Sequence, residues 1–302
     1  MLMRSACRFF AYATLALFAA GCQQSRDVTV SDNATAVNEA QPPDDYSAEA
    51  VPAATSVPTQ SPATVNDTPS ASIEIAAEAI QPHMSIGSDG RIYLTFIHRG
   101  NIAVSISHDR GQTFSDPVVA IDVQGRARGG RHRGPRIGVD GEGNITVTAP
   151  VTFDAAEYEK KYPTADLFLV RSTDGGKTWS QPRQINEVAK KAPEALHWMT
   201  VAPSGVAHVA WLDMRDREKS GQDIYYTTVV DGEIGVNEKI ATTVCECCAP
   251  GMTIDAAGNP LVAYREGGSN PSREIFMRWS IDGGRSFGDV MQINKQKTLE
   301  DG

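Results

Sequence analysis

The stretch Ser172-Thr-Asp174-Gly-Gly176-Lys-Thr178-Trp179 is one of three octapeptides in the chain that share a pattern. The others run from Ser107 to Phe114 and from Ser280 to Phe287, which gives Ser-x-Asp-x-Gly-x-(Ser/Thr)-aromatic. The Asp carboxylate and the hydroxyls can hydrogen-bond to backbone groups of a tight turn. The Gly supplies the positive φ that such a turn needs. Three copies with strand-like flanks therefore predict hairpins of an all-β fold, not three catalytic sites.

A second repeat surrounds these turns and consists of an alternating strand, a Gly turn and another alternating strand. Its turn glycines are spaced by 53, 62 and 53 residues: Gly90, Gly143, Gly205 and Gly258. A third strand is predicted after each pair, at 103–107, 167–172, 224–228 and 275–280. In the third unit the octapeptide is reduced to Val230-Asp231-Gly232. Four four-stranded antiparallel units of this length predict the blades of a β-propeller.

The octapeptide is identified as the Asp-box, or bacterial neuraminidase repeat, and the unit from Gly134 to Ser180 resembles a blade of the sialidase superfamily. The resemblance covers roughly residues 80–295. It implies a sialidase-like propeller with six blades in the intact protein, of which four are visible. We therefore expect a propeller domain over 76–302 that is C-terminally incomplete, with a closed four-bladed ring as the alternative.

The first 21 residues have the pattern of a lipoprotein signal peptide. Arg4 and Arg8 surround the start of an apolar run without acidic residues, and Ala-Ala-Gly directly precedes Cys22. Lipid such as palmitate on Cys22 would tether the protein to a membrane, with a plain signal peptide or a membrane anchor as alternatives. The resemblance to bacterial lipoproteins implies the outer membrane of the cell envelope. In those proteins a Gln rather than an Asp after the lipidated cysteine suits the outer membrane.

The region 22–75 is rich in Ala, Pro, Ser, Thr and Val and contains almost no large apolar residues. Such a composition cannot bury enough surface to offset ordering entropy, so it predicts a disordered tether. The formal charge of the chain is −9, and it becomes −11 without the two arginines of the signal. An acidic chain without a basic stripe argues against nucleic acid as a partner. The membrane, through the lipid, and a glycan or other anionic ligand are the predicted partners.

The repeat assigns the polar loop residues to two rims of the propeller. The first rim contains the Asp-boxes and the turns between the first and second strands. The second rim contains the entrances to the first strands and the loops that follow the second strands. The second rim usually carries the binding site in propellers, and its charged groups predict a site for an anionic ligand, although polar loops are common without one. Besides three cysteines, the candidates there are His98, Arg99, His132, Arg133, Arg136, Asp154, His197, Asp213, Arg215, Asp216, Arg265, Glu266 and Arg273.

The sialidase resemblance implies a definite set of catalytic groups. Sialidases hold the substrate carboxylate with three arginines, use a Tyr paired with a Glu as nucleophile and an Asp as acid/base. Arg136 matches the first of these arginines, although Pro-Arg-Ile-Gly stands here in place of (Phe/Tyr)-Arg-Ile-Pro. Arg215 and Arg265 are candidates for further carboxylate arginines, and Asp154 or Asp166 for the acid/base. No Tyr–Glu pair can be assigned.

Two functions follow from this pattern. A ligand-binding, glycan-binding or scaffold module without a complete hydrolase site is favoured by the altered flanks of Arg136. The absence of the second arginine of that blade, where Ala149-Pro150 stands, favours it too. The alternative is an exo-α-sialidase-type glycoside hydrolase acting on sialic-acid-like sugars, which the arginine-rich rim favours.

The cysteines form a separate signal. Cys7 would be lost with the signal and Cys22 would carry lipid, which leaves Cys245, Cys247 and Cys248 within four residues. One disulfide with a further partner elsewhere is one interpretation, since disulfides are expected in an oxidising envelope. A soft-metal site for copper(I) or zinc is the other.

Overall fold

The computed structural model describes residues 74–127, 129–130, 133–161, 164–192, 196–267 and 274–294. The predicted signal peptide, Cys22 and most of the predicted tether lie outside these residues, as do His132 and Arg273. Among the described residues, no helix has the length and apolar character needed to cross a membrane.

The described chain forms four antiparallel sheets, and in three of them the strands follow one another as a simple meander. The first contains β1 (Ala79–Ile86), β2 (Ile92–His98), β3 (Asn101–Ser107) and β4 (Val118–Ile121). The second contains β5 (Arg136–Val139), β6 (Ile145–Val151), β7 (Asp166–Ser172) and β8 (Arg183–Gln184). The third contains β9 (His197–Val201), β10 (Ala207–Asp213), β11 (Gln222–Val230), β12 (Glu233–Ile234) and β13 (Glu238–Val244). The fourth contains β14 (Gly251–Ile254), β15 (Pro260–Arg265), β16 (Ile275–Trp279) and β17 (Met291–Gln292).

The four sheets are successive blades of a β-propeller, as the repeats predicted. Their first strands lie side by side, β1 next to β5, β5 next to β9 and β9 next to β14. Three apolar clusters fill the spaces between neighbouring blades. Alternate residues of one strand enter different clusters: Trp211 faces the second blade, and Leu212 faces the fourth. Burial on both faces explains why the central strands lack an exposed polar face.

The three Asp-boxes form the predicted turns with almost identical hydrogen bonds. In the second blade, Ser172 Oγ donates to Asp174 Oδ1 at 2.8 Å, and the Gly176 N–H donates to Ser172 Oγ at 2.9 Å. The Thr178 N–H and hydroxyl donate to the two Asp174 oxygens at 2.9 and 2.6 Å. The first and fourth blades repeat the network. Each carboxylate is therefore saturated by its own turn, so it is structural.

Strand pairing shows that the Asp-boxes share one rim with the turns between first and second strands. Ser107 pairs with Ile92, and Ser172 pairs with Ile145, so each Asp-box begins where the second strand of its blade begins. In the fourth blade the Gly283 N–H donates to Asn259 in the neighbouring turn at 2.9 Å. We call this side the Asp-box rim. The opposite side, where β5, β9 and β14 begin, is called the entry rim.

The third blade departs from the regular pattern in two ways. Asp231 and Gly232, with φ of 51° and 83°, make a two-residue turn between β11 and β12. Two consecutive positive φ values are typical of a type I′ hairpin, which needs no Asp-box. A further strand, β13, then pairs with β11 on the same side as β12 and makes this sheet five-stranded.

Two short helices, which the strand pattern did not predict, lie in loops of the entry rim. They are α1 (Ala155–Tyr158), after β6, and α2 (Arg217–Ser220), after β10. Asp154 is the N-cap of α1, and its side chain accepts from the N–H groups of Ala156 and Glu157. Asp154 and Glu157 have the spacing of a capping box, a signal that the sequence did contain.

Candidate functional site

The entry rim brings a cation and an aromatic ring together where the first strands of two blades begin. Arg136 is the first residue of β5, and Trp198 is the second residue of β9. The Arg136 guanidinium carbon lies 5.0 Å from the centre of the Trp198 ring, a distance typical of a cation–π contact. Arg136 is only 7% exposed and donates to the carbonyl oxygens of Gly134 and Pro135 at 3.1 and 3.0 Å. Burial lowers the pKa of Arg136, but a guanidinium remains protonated.

His83 of β1 completes this group from a third blade. Its ring packs edge-on against Trp198, with 5.8 Å between the ring centres, and its Nδ1 accepts a hydrogen bond from the Ile137 N–H at 3.2 Å. Burial, and then the charge of Arg136, lower the pKa of His83 to about 4. His83 is therefore neutral at pH 7 with its proton on Nε2, and Arg136 supplies the positive charge. We call Arg136, Trp198 and His83 the entry group.

Arg215, the second candidate for a carboxylate arginine, is held by protein carboxylates. Its Nε and one terminal nitrogen donate to Asp213 at 3.0 and 2.8 Å, and the other terminal nitrogen donates to Glu187 at 2.6 Å. The guanidinium also stacks 3.8 Å from the centre of the Tyr225 ring. Because Asp213 is fully buried, Arg215 balances a charge inside the third blade.

Asp154 and Asp166, the candidates for the acid/base, both contact Lys190, one at its side chain and the other at its backbone. The Lys190 Nζ lies 3.4 Å from Asp154, and its backbone N–H donates to Asp166 at 2.6 Å. Asp166 also accepts from Asn186 at 2.8 Å. The backbone hydrogen bond from Glu157 and then Lys190 lower the pKa of Asp154, so Asp154 is ionised at neutral pH. In this state Asp154 has no proton to donate.

Arg265, the third candidate arginine, ends β15 and lies beside the three cysteines. One of its terminal nitrogens donates to Cys248 Sγ at 3.2 Å. Cys245 Sγ lies 2.9 Å from Cys248 Sγ and 3.5 Å from Cys247 Sγ. All three sulfurs lie within 4.8 Å of one another, and none is in a disulfide. The three cysteines thus lie beside an arginine where the fourth blade begins.

Burial and the neighbouring sulfurs set the protonation of this cluster. Burial, followed by the hydrogen bond with Cys245, raises the pKa of Cys248 to about 11. For Cys245 the effect of burial is outweighed by its hydrogen bonds with Cys248 and with the Cys247 backbone, so its pKa is lowered. Cys245 therefore ionises before Cys248, although it is the more buried of the two.

No family model matches the chain, and no curated protein matches its sequence. The likeness to known proteins is one of fold. An α-L-arabinanase of Penicillium chrysogenum, complexed with arabinobiose, has 17% identity and a TM-score of 0.50 over 71% of this chain and 66% of that one. A PL25 ulvan lyase has 15% identity and a TM-score of 0.49, over 72% of this chain and 56% of that one. The NanB sialidase of Streptococcus pneumoniae has 14% identity and a TM-score of 0.46, over 73% of this chain and 52% of that one. The chain thus spans less than two thirds of the length of these proteins.

Sequence reasoning missed two partners of Arg136 and one buried carboxylate. Trp198 and His83 come from other blades, and only the strand register brings them to Arg136. Glu157 is 2% exposed and accepts from Lys160 at 2.6 Å and from the Thr164 N–H at 2.8 Å. The hydrogen bond from Lys160 is the main cause that lowers the pKa of Glu157 to about 2. Glu157 therefore connects α1 by hydrogen bonds to the loop that contains Thr164.

Proposed function

We propose that this protein is a sialidase-like, glycan-binding propeller whose entry group holds an acidic group of its ligand. The observation that carries the proposal is the guanidinium of Arg136 next to the half-buried face of Trp198. A charged donor in a partly desolvated setting binds a carboxylate or sulfate more strongly than a neutral donor does. An aromatic face beside it offers rigid apolar contact for a sugar ring.

The comparison of folds supplies the first class of ligand to test. The P. chrysogenum arabinanase was crystallised with arabinobiose, a neutral disaccharide. A propeller of the same kind with a buried arginine at its entry rim would favour an acidic sugar over a neutral one. The ligand class is therefore an acidic oligosaccharide, with the sialic-acid-like sugars of the sialidase superfamily among the candidates.

Binding without hydrolysis is favoured by how the candidate catalytic residues are used. Asp154 caps α1 and is ionised, and Asp166 is bound by Asn186 and the Lys190 backbone. Arg215 neutralises Asp213 and Glu187. Asp154, Asp166 and Arg215 are thus engaged by other groups of the protein, which favours binding over hydrolysis.

Titration calorimetry of the purified full chain in detergent tests the proposal. Sialylated, uronate-containing and neutral arabinose oligosaccharides are the probes, and we expect the acidic ones to bind more tightly. Arg136→Gln should weaken this binding by at least about tenfold, because a hydrogen bond to a charged group contributes about 1.5–3 kcal/mol. Arg183→Gln is the matched control, since Arg183 binds Glu233 and Gly232 on the Asp-box side. Unchanged affinity in the folded Arg136→Gln variant, or no binding of any probe, would refute the proposal.

The alternative is a sialidase-type glycoside hydrolase, and the presence of both Asp154 and Asp166 on the entry rim favours it. A sialidase uses one Asp as its acid/base, and either residue could fill that role. A fluorogenic sialoside incubated with the full chain distinguishes the two functions. Turnover that is lost in Asp166→Asn would establish the hydrolase, whereas binding without turnover supports the module.

We also propose that the protein is a lipoprotein held in the bacterial cell envelope, on the outer membrane, by lipid on Cys22. The signal pattern before Cys22 supports this. Metabolic labelling with a palmitate analogue should mark the wild type and not Cys22→Ser. Labelled protein that fractionates with the inner membrane would contradict the outer-membrane part of the proposal.

The three thiols of the fourth blade are proposed to hold a soft metal ion, copper or zinc. Their convergence within 4.8 Å supports this, and thiolate is the ligand type that these metals share. The metal content of the purified protein tests the proposal. A Cys245–Cys248 disulfide without metal would contradict it.

A further inference from the structure

The backbone fixes the three-thiol cluster against the end of β15. The Cys245 N–H donates to the Arg265 carbonyl at 2.9 Å, and Val244 forms a β-bridge with Glu266. Gly267 lies so close to the Val244 carbonyl that a Cβ there would collide with it. The chain before Cys245 is therefore attached to the fourth blade, and the cluster has a rigid support. Rigid support is what a preorganised ligand set requires.

The sulfur positions suit an ion bound by all three cysteines. Zn–S bonds measure about 2.3 Å, and three sulfurs at about that distance from one ion in a trigonal plane are separated by roughly 4 Å. The sulfur pairs here lie at 2.9 Å, 3.5 Å and within 4.8 Å. Small side-chain rotations would therefore bring the three atoms around a common centre. A disulfide would use two of them and leave the third without a role.

The number and type of ligands distinguish copper(I) from zinc. Structural zinc is bound by four ligands in a tetrahedron, and among the described residues no histidine, carboxylate or further cysteine joins the three thiols as a ligand. Glu246, between the cysteines, lies 3.7 Å from Arg217, with which it forms an ion pair. Thiolates select copper(I), a monovalent ion that three of them can saturate without a fourth ligand.

Arg265 and solvent access define the surroundings of such an ion. The Arg265 guanidinium donates to Cys248, so a cation stands next to the cluster. It also offsets part of the negative charge that three thiolates around a monovalent ion retain. Cys245 is buried, Cys248 is half-buried and Cys247 is exposed. The exposed thiol gives a metal donor or chelator a direct route to the ion.

We infer that Cys245, Cys247 and Cys248 bind one copper(I) ion in an exchangeable, three-thiolate site supported by Arg265. The inference rests on the soft-metal part of the proposed function and names its ion and ligand set. It is independent of the glycan-binding part, because the cluster and the entry group share no residue.

The test starts from the full chain, expressed with both copper and zinc in the medium and purified in detergent without oxygen. We expect one copper ion per chain, and X-ray absorption should show copper(I) with three sulfur neighbours and no nitrogen or oxygen. Bound zinc in place of copper would overturn the assignment of the ion but leave the soft-metal proposal standing. A Cys245–Cys248 disulfide in protein without metal would overturn both, and glycan titration of the same sample reports on the entry group separately.

Two variants establish which atoms hold the ion. Cys247→Ser removes the exposed thiol with little risk to the fold, and it should weaken copper(I) binding by at least ~100-fold in competition with a chelator. The estimate is a lower bound, because the loss of groups that only orient ligands already costs about 10–100-fold. Glu246→Gln is the matched control that keeps all three thiols, and its affinity should equal that of the wild type. Equal affinity for Cys247→Ser and wild type would refute the three-thiolate site.

Discussion

Gly284 in the Asp-box of the fourth blade lies directly against Tyr226 of the third blade, so that a Cβ at Gly284 would overlap the tyrosine hydroxyl. The same hydroxyl lies 2.6 Å from His208 Nδ1 inside the third blade. Gly176 repeats the relationship at the interface of the first and second blades, where a Cβ would come within 2.9 Å of Ile106 in the first blade. The second half of the Asp-box therefore packs one blade on the preceding one, in addition to closing its own turn.

Gly284→Ala should be much more destabilising than the neighbouring change Gly283→Ala. Both glycines have positive φ, 88° and 73°, but a Cβ at Gly283 would meet open space. The left-handed backbone costs about 1–2 kcal/mol for a residue other than Gly, and overpacking at Gly284 adds about 1–3 kcal/mol. Urea unfolding of the two variants measures the difference. Equal losses would show that contact with Tyr226 does not constrain this position.

The Asp-box carboxylates should make the protein lose stability in acid over a defined range. The hydroxyl hydrogen bonds of Thr113 and Ser286 are the largest causes that lower the pKa of Asp109 and Asp282 to about 2. The pKa of Asp174 is lowered in the same way by Thr178. Because these folded values lie below the unfolded value of about 3.9, the stabilisation is complete above pH ~4 and is lost as the pH falls through ~2.

The free energy of unfolding, measured between pH 5 and pH 2, tests whether stability falls with pH as expected. Asp282→Asn should give a shallower pH dependence than the wild type, since one of the depressed carboxyls is absent. The control is Asp289→Asn, which removes an exposed carboxylate outside the Asp-box. A variant Asp282→Asn with the slope of the wild type would contradict the assignment.

Arg215→Ala should destabilise the third blade by about 3–5 kcal/mol, because it leaves the charge of Asp213 buried and unbalanced. Arg183→Ala removes an arginine of comparable geometry from Glu233, but both partners are exposed, so little change is expected. The double variant Arg215→Ala with Asp213→Asn should recover part of the loss. Normal stability of Arg215→Ala combined with weaker glycan binding would instead place Arg215 in the ligand site.

The effect of Arg136→Ala separates the two proposed functions. If the intact protein hydrolyses sialosides, this change should lower kcat/KM by about thirtyfold, or ~2 kcal/mol, because a charge-assisted contact to the substrate carboxylate is lost. A fluorogenic sialoside assay of wild type and variant measures this ratio. Equal rates would remove Arg136 from the catalytic site, and turnover by neither protein with glycan binding retained would favour the module.

The sequence alone established the blades and their turns. Each Asp-box is a local unit whose hydrogen bonds join residues two to four positions apart, so eight residues contain the information. The alternating strands and the regular glycines are likewise short-range features. For the same reason the convergence of Cys245, Cys247 and Cys248, which lie within four residues, could be anticipated.

Only the tertiary structure decided which side chains meet across blades and what each candidate is used for. Arg136, Trp198 and His83 lie on three different sheets, and their contact depends on the register of β1, β5 and β9. Arg215 looked like Arg136 in sequence, yet its neighbours are Asp213 and Glu187. A charged side chain takes its role from the partners and solvent around it, and in a propeller those partners come from strands that are distant in sequence.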